Sequence, residues 1–138
     1  MGRILAIDYG KKRVGLAVTD PLKIIAGGLT TVAASETLAY IKDYVARNSV
    51  ELIVIGLPKT LKNEPSESMN YIRPFAAKLK KELPDIPVTF FDERFTSVLA
   101  HKTMLDAGLK KKDRANKALV DEISATIILQ DFITSMKI

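Results

Sequence analysis

The chain has 138 residues, of which 47% are hydrophobic and 27% are charged, with 21 Lys and Arg against 16 Asp and Glu. This composition is typical of one globular domain with a sizeable core, and it excludes an intrinsically disordered chain. The sequence has no cysteine, which excludes disulfides, thiolate zinc sites and cysteine nucleophiles. A single histidine excludes a histidine-rich metal site. Any chemistry must therefore rest on carboxylates, hydroxyls, lysines or arginines.

The apolar runs are too short for a membrane protein. The run at residues 52–57 is far below the ~20 residues that cross a bilayer. The first residues lead directly into a strand pattern and do not resemble a signal peptide. We therefore expect a cytoplasmic protein that does not bind membranes.

The net charge of +5 favours a polyanionic partner, and most of it lies in one short segment. Taken alone, such a segment is typical of a solvated charged loop. Alternatively, it binds the phosphates of a nucleic acid. Its basic residues are Lys110, Lys111, Lys112, Arg114 and Lys117.

The first third of the chain predicts three strands, at residues 3–8, 14–19 and 24–32. Their close spacing favours antiparallel pairing, because parallel strands need a longer crossover. Gly27 and Gly28 in the third strand indicate a β-bulge or a close backbone approach.

The remaining chain alternates helical and strand patterns. This order predicts an α/β fold with a mixed sheet and helices on its faces. In such sheets, ligands gather at the carboxyl ends of the parallel strands. The predicted elements are a helix over 36–48 capped by Ser35, a strand over 51–56, a helix over 67–83 kinked or broken at Pro74, a strand over 88–91, a helix from Thr96 or Ser97 to about residue 106, and a last helix over 117–134.

Three carboxylates occur where apolar residues are expected. Asp8 and Glu93 end apolar strands, and Asp121 lies on the apolar stripe of the last helix. Clustered carboxylates without histidine suit Mg²⁺, which prefers oxygen ligands. Two such ions ~3.5–4 Å apart can clamp the attacking and leaving oxygens of a phosphodiester. The basic residues Lys11, Lys12 and Arg13, which follow Asp8, would hold the substrate backbone nearby.

Each of these residues also has a structural interpretation. Asp8 fits a turn, Glu93 fits a surface ion pair with Arg94, and Asp121 fits an ion pair with Lys117. The four tyrosines are expected to serve as packing residues rather than as base-stacking platforms. They are Tyr9, Tyr40, Tyr44 and Tyr71.

Four motifs in order resemble the YqgF-type family, also called RuvX, over essentially the whole chain. Members of this family are described as Holliday junction resolvases and as nucleases that mature the 5′ end of precursor small-subunit ribosomal RNA. The motifs are Asp8-Tyr9-Gly10-Lys11-Lys12-Arg13-Val14-Gly15, Gly56-Leu57-Pro58, Asp92-Glu93-Arg94-Phe95-Thr96-Ser97 and Lys117-x-x-Val120-Asp121 with Ser124-Ala125.

The resemblance implies an RNase H-like fold, with a mixed five-stranded sheet whose first three strands are antiparallel and with helices on both faces. It implies that residues 1–138 form a single nuclease domain. It also implies that Asp8, Glu93 and Asp121 bind Mg²⁺ or Mn²⁺ and catalyse phosphodiester hydrolysis. Arg94 is expected to support the Glu93 loop and to bind substrate. The expected substrate is structured RNA or branched DNA, in maturation of pre-16S rRNA or in resolution of Holliday junctions.

Two other functions remain open at this point. One is a non-catalytic nucleic-acid-binding or ribosome-assembly factor that retains the fold. The other is a phosphotransferase of the actin and sugar-kinase type, although those enzymes use two such domains around the nucleotide. A junction resolvase would be expected to act as a symmetric dimer, whereas the sequence shows no obvious dimerisation stripe. A monomer or a weak homodimer is therefore expected.

Overall fold

The computed structural model of the protein describes residues 2–57, 69–92 and 117–136. Within these ranges the chain alternates between strands and helices in the predicted order. The strands are β1 (Arg3–Tyr9), β2 (Arg13–Thr19), β3 (Ala26–Ala33), β4 (Val50–Leu57) and β5 (Val88–Asp92). The helices are α1 (Thr37–Arg47), α2 (Met69–Glu82) and α3 (Lys117–Met136), and a short 3-10 helix (Ala34–Glu36) precedes α1.

The five strands form one mixed sheet in the order β3-β2-β1-β4-β5. β1 pairs antiparallel with β2, and β2 pairs antiparallel with β3. β4 runs parallel to both β1 and β5. β1 is therefore central, and the carboxyl ends of β1, β4 and β5 lie at the same edge of the sheet. The predicted antiparallel order of the first three strands and the mixed sheet are confirmed.

Apolar residues on both faces of the sheet explain why β1 is apolar throughout rather than alternating. Leu5 and Ile7 pack in a core with α1 and α2, which contribute residues such as Ile41 and Leu79. Ile4 and Ala6 pack in a second core with α3. A strand that is covered on both faces has no polar side to present to water.

The predicted bulge lies in β3 beside the two glycines. Leu16 of β2 pairs with Thr30, but the next residue, Ala17, pairs with Gly28. Leu29 is therefore the extra residue, which is the defining feature of a β-bulge. Gly27 itself has open space at the position of a β-carbon, so close backbone approach is not its role.

The structure corrects two predicted details of the helices, the cap of α1 and a break in α2. Ser35 does not cap α1, because the chain first makes a 3-10 turn over Ala34–Glu36 and α1 begins at Thr37 without a side-chain cap. Pro74 does not break α2, which continues from Met69 to Glu82, and the alternative of a kink at Pro74 stays a prediction. Proline removes one helical hydrogen bond, but the buried residues Ile72, Ala76 and Leu79 hold this helix on the sheet.

Some predicted features lie outside the described residues. The helix from Thr96 or Ser97 and the segment 110–116 are among them. Within the described part of the chain, no helix is both long and apolar enough to span a membrane.

Candidate active site

Asp8 lies at the carboxyl end of β1 on the face covered by α3. The preceding residues of the same parity, Ile4 and Ala6, belong to the α3 core, whereas Leu5 and Ile7 belong to the opposite core. Because side chains alternate along a strand, Asp8 continues the α3 face. It is half-buried, and it pairs in register with Gly15 of β2. The strand thus presents one carboxylate at the edge where the parallel strands end.

The helix α3 covers this face of the sheet and carries Asp121. It packs on β2 and β3 and also on β1. Ala125, Ile128 and Leu129 of α3 are buried against the sheet. Asp121 lies four residues before Ala125 in the same helix, about one turn away. Helical periodicity therefore places position 121 on the same side of α3 as Ala125, which packs against the sheet.

The end of β5 lies at the same edge as Asp8. Ile7 of β1 pairs with Ile55 of β4, and Ile55 pairs with Phe90 of β5. The next residue, Phe91, packs edge-on against Phe132 of α3 at a centroid distance of 5.9 Å. β5 ends at Asp92, and Glu93 follows it in the sequence. Glu93 itself lies outside the described residues. So do five of the predicted substrate-binding residues, which are Arg94, Lys110, Lys111, Lys112 and Arg114.

A tight basic turn follows Asp8 between β1 and β2. The backbone N–H of Gly10 donates a 3.0 Å hydrogen bond to the carbonyl of Arg13, which closes the turn. A β-carbon at Gly10 would lie 2.5 Å from that carbonyl oxygen, so only glycine fits. Lys11 and Lys12 are exposed at the turn, and Arg13 is half-buried at the start of β2. Three predicted phosphate-binding cations therefore lie within five residues of Asp8.

The described residues supply one part of the predicted carboxylate set. Among them, no three Asp, Glu or His residues lie close enough together to hold a metal ion. Asp8 is described, Asp121 is placed on α3, and Glu93 is outside the described ranges. Lys117, the last of the predicted basic residues, is the first residue of α3.

An ordered loop between β2 and β3 was not anticipated from the sequence. The Asp20 carboxylate accepts hydrogen bonds from the backbone N–H groups of Leu22, Ile24 and Ile25, at 3.1, 2.8 and 2.7 Å. These bonds lower the pKa of Asp20, with the bond from Ile25 contributing most. Within the loop, Lys23 adopts a left-handed conformation with φ of 59°. The Asp-Pro pair at positions 20 and 21 is the turn signal that would have identified it.

A pocket beside Tyr9 was also missed by sequence reasoning. Tyr9 follows Asp8 but faces α1 and α2, where it stacks on Phe75 at a centroid distance of 4.3 Å. Burial raises the pKa of Tyr9, and the neighbouring hydroxyl of Tyr71 adds to this effect. Tyr9 therefore packs, as predicted for the tyrosines, and it also lines a cavity. Its partners are more than sixty residues away in the sequence, so periodicity alone does not reveal the pocket.

Solved structures show which class of fold this is. The chain resembles Thermus thermophilus RuvC in complex with a Holliday junction substrate, with a TM-score of 0.58 over 99% of this chain and 96% of that chain, at 17% identity. It also resembles Fowlpox virus resolvase in complex with Holliday junction DNA, with a TM-score of 0.57 over 97% and 98%, at 13% identity. The fold is therefore RNase H-like, as predicted.

Sequence comparison then gives the family. The family model described as "RuvX: Holliday junction resolvase" matches residues 2–135. A Bacteroides fragilis protein named "Putative pre-16S rRNA nuclease" is 64% identical over 138 residues and is covered completely, as is this chain. A Flavobacterium psychrophilum protein of the same name is 55% identical over 134 residues, which are 97% of this chain and 98% of that protein. The chain belongs to the RuvX family.

Proposed function

We propose that the protein is a divalent-metal-dependent nuclease that hydrolyses phosphodiester bonds in structured nucleic acid. Residues 1–138 act as one RNase H-like nuclease domain. The substrate is the 5′ leader of precursor 16S rRNA or, as the second candidate, a Holliday junction. The second candidate is favoured by the family description and by the fold shared with junction resolvases. The observation that carries the proposal is the position of Asp8, at the common edge of the parallel strands and on the face that α3 covers.

The catalytic residues in this proposal are Asp8, Glu93 and Asp121. Asp8 ends the central strand, Glu93 directly follows the last residue of β5, and Asp121 lies one turn before a residue of α3 that packs on the sheet. The position of Asp8 supports a role as a ligand, because it lies at the edge where the parallel strands end, and ligands gather at this edge in such sheets. In this proposal, the three residues converge at the edge of the sheet where β1 and β5 end.

The chemistry of this donor set fits Mg²⁺ or Mn²⁺. The set consists only of carboxylates, which hard divalent cations prefer over nitrogen or sulfur ligands. Asp8, Glu93 and Asp121 would hold the metal. When bound, it would polarise the phosphodiester and stabilise the charge that develops during hydrolysis.

The basic turn positions the substrate backbone in this proposal. Lys11 and Lys12 are exposed, so their ammonium groups are accessible to phosphates. The hydrogen bond between Gly10 and Arg13 holds the turn next to Asp8. Phosphates bound there would lie beside the carboxylates. Arg94, Lys110, Lys111, Lys112, Arg114 and Lys117 extend the proposed basic surface.

A cleavage assay tests this function. Purified protein is incubated with Mg²⁺ or Mn²⁺ and end-labelled substrates: a pre-16S rRNA leader, a four-way DNA junction, and unstructured single strands of each. We expect cleavage of the leader or of the junction by the wild type and its loss in Asp8→Asn. The matched control is Asp43→Asn, because Asp43 is an exposed carboxylate on α1 paired with Arg47 at 3.3 Å.

Two results would contradict the nuclease proposal. Equal cleavage by wild type and Asp8→Asn would show that the activity does not come from this site. Binding of the leader without any cleavage would favour a non-catalytic nucleic-acid-binding or ribosome-assembly factor.

A further inference from the structure

A cavity of about 470 Å³ opens on the face of the sheet opposite Asp8. It lies between the start of α1 and the first half of α2, above the carboxyl end of β1. Its volume is in the range of small-ligand pockets in proteins, about 300–1,000 Å³. Its lining combines aromatic rings, a lysine and uncharged polar groups, from Tyr9, Ser35, Asn70, Tyr71, Phe75 and Lys78.

The aromatic residues of this pocket form a packed wall. Tyr9 stacks on Phe75 with an interplanar angle of 26°. Tyr71 also contacts Tyr9, with the ring centroids 5.9 Å apart and tilted by 40°. Phe75 is 7% exposed, so it serves mainly as support, whereas Tyr9 and Tyr71 are half-buried. The two tyrosines therefore offer ring surface to a flat ligand.

The polar groups around this wall suit a nucleotide. Pro74 has no N–H to donate to the carbonyl of Asn70, the residue four positions before it, and both residues line the pocket. The uncharged polar side chains of Asn70 and Ser35 also line the pocket and can hydrogen-bond to a base edge or a ribose hydroxyl. Lys78, one turn beyond Pro74, is exposed and supplies a cation for a phosphate.

We propose that this pocket binds one nucleotide of a single-stranded part of the substrate, with its base stacked on Tyr71 and Tyr9 and its phosphate near Lys78. Every base has a π face, so such stacking tolerates any sequence. This inference rests on the proposed function, because it takes a nucleic acid as the ligand. It goes beyond that function by assigning a second contact on the opposite face of the sheet.

The basic turn connects this pocket with the candidate active site. Tyr9 follows Asp8 directly, and the two side chains point to opposite faces of the sheet. The carbonyl of Lys12 accepts a 2.9 Å hydrogen bond from the N–H of Ala34, and Ala34 lines the pocket. A strand that passes Asp8 can thus cross the basic turn and place a neighbouring nucleotide in the pocket.

The first test measures binding of fluorescently labelled single-stranded RNA and single-stranded DNA in EDTA, so that no cleavage occurs. We expect Tyr71→Leu to weaken binding at least about fivefold, because base stacking on an aromatic side chain contributes that much or more. Tyr71→Phe should bind as the wild type does. The matched control is Tyr40→Leu, because Tyr40 is a half-buried tyrosine that stacks on Tyr44 away from the pocket lining.

A second pair of variants tests the phosphate contact. Lys78→Ala should weaken binding and reduce its salt dependence. Lys81→Ala, an exposed lysine on the same helix that does not line the pocket, should change neither. Thermal unfolding of each variant separates a loss of contact from a loss of fold. Wild-type affinity in folded Tyr71→Leu and Lys78→Ala would overturn the proposal.

An NMR titration identifies the part of the ligand that binds. Tyrosine ring signals are followed during addition of AMP and, separately, of ribose 5-phosphate. We expect AMP to shift the Tyr71 signals and ribose 5-phosphate to leave them unchanged. Shifts by AMP with unaltered oligonucleotide affinity in Tyr71→Leu would overturn the assignment to a strand and indicate a site for free nucleotides. Failure of the nuclease proposal is seen separately, as absence of metal-dependent cleavage while Tyr71-dependent binding persists.

Discussion

Gly10 is the residue on which the position of the basic turn depends. A β-carbon there would lie 2.5 Å from the carbonyl oxygen of Arg13, which is backbone and cannot rotate away. We expect Gly10→Ala to lower the free energy of unfolding by about 1–3 kcal/mol, the usual cost of forced overpacking. It should also reduce cleavage, because the turn next to Asp8 must open. Urea unfolding and the cleavage assay measure both effects.

The control for this substitution is Gly27→Ala. Nothing lies within 4 Å of a β-carbon at Gly27, so alanine fits there without displacing a neighbour. Gly27→Ala should leave the free energy of unfolding unchanged or raise it slightly, because alanine restricts the unfolded chain. If both variants unfold at the same urea concentration as the wild type, the close approach at Gly10 is not a constraint on this turn.

Asp20 gives the β2–β3 loop a defined pH dependence. Three backbone N–H groups favour its ionised form and lower its pKa in the folded state below the ordinary value of 3.8. The resulting stability is present above the unfolded pKa and is lost as pH falls through the lowered folded pKa. We expect Asp20→Asn to be less stable than the wild type at neutral pH. The difference should shrink as the pH falls through the acidic range, as measured by urea unfolding at a series of pH values.

An unchanged difference between wild type and Asp20→Asn over this pH range would contradict the role assigned to ionised Asp20. The sequence contained the turn signal for this loop, the Asp-Pro pair. It could not show that one carboxylate accepts three hydrogen bonds, because this depends on Lys23 adopting a left-handed backbone that lysine seldom favours.

At the scale of single elements, α3 determines where Asp121 lies. Ala125 of α3 is fully buried, and the helix approaches the sheet closely there. We expect Ala125→Leu to lower the free energy of unfolding by about 1–3 kcal/mol and to displace the helix from the sheet. Cleavage should fall with it, because Asp121 is one turn away. The measurements are urea unfolding and single-turnover cleavage rate at a temperature where the variant is folded.

The matched control on α3 is Gln130→Leu, because Gln130 is exposed. It should leave both stability and cleavage close to the wild-type values. Full activity in folded Ala125→Leu would mean that the position of α3 does not determine the site.

The elements illustrate what periodicity can and cannot predict. The strand β1 could be predicted from its apolar run, because a strand that is buried on both faces has a continuous hydrophobic pattern. Asp8 shares a face with Ile4 and Ala6, because side chains alternate along a strand. The start of α1 could not, because a 3-10 turn precedes it and displaces Ser35 from the cap position. Continuation of α2 through Pro74 depends on tertiary packing of its buried face, which local propensity does not include.

At the scale of the whole molecule, the proposed function requires positive charge to bind the phosphates of a nucleic acid. Lys11 and Lys12 are exposed beside Asp8. We expect Lys11→Ala combined with Lys12→Ala to weaken binding and to reduce the slope of log affinity against log salt by about one for each lysine that contacts a phosphate. Affinity measured by gel shift across a series of salt concentrations gives this slope.

The control double variant is Lys42→Ala with Arg47→Ala, which removes the same charge. These two cations are paired with Glu82 at 3.4 Å and with Asp43 at 3.3 Å on exposed surfaces. Their removal should change the salt slope little. An equal reduction in both double variants would show that overall charge, and not the basic turn, determines binding.

The pocket beside Tyr9 shows why part of the site escapes sequence reasoning. The sequence offers the three carboxylates as candidates because each one interrupts an apolar pattern on its own element. The pocket is formed by residues from β1, the 3-10 turn, α1 and α2, each of which is ordinary within its own element. Only the packing of α2 on the sheet brings Tyr71 and Lys78 to the end of β1, where Tyr9 follows the proposed catalytic residue Asp8.

The central claim is that Asp8, Glu93 and Asp121 together form one divalent-metal site. The most direct measurement is Mn²⁺ binding by electron paramagnetic resonance in the wild type, Asp8→Asn, Glu93→Gln and Asp121→Asn, with Glu51→Gln as an exposed-carboxylate control. We predict that each of the three substitutions weakens Mn²⁺ binding at least about tenfold, as loss of a metal ligand or its support does, and that the control binds as the wild type. Wild-type Mn²⁺ affinity in all three variants would contradict the claim.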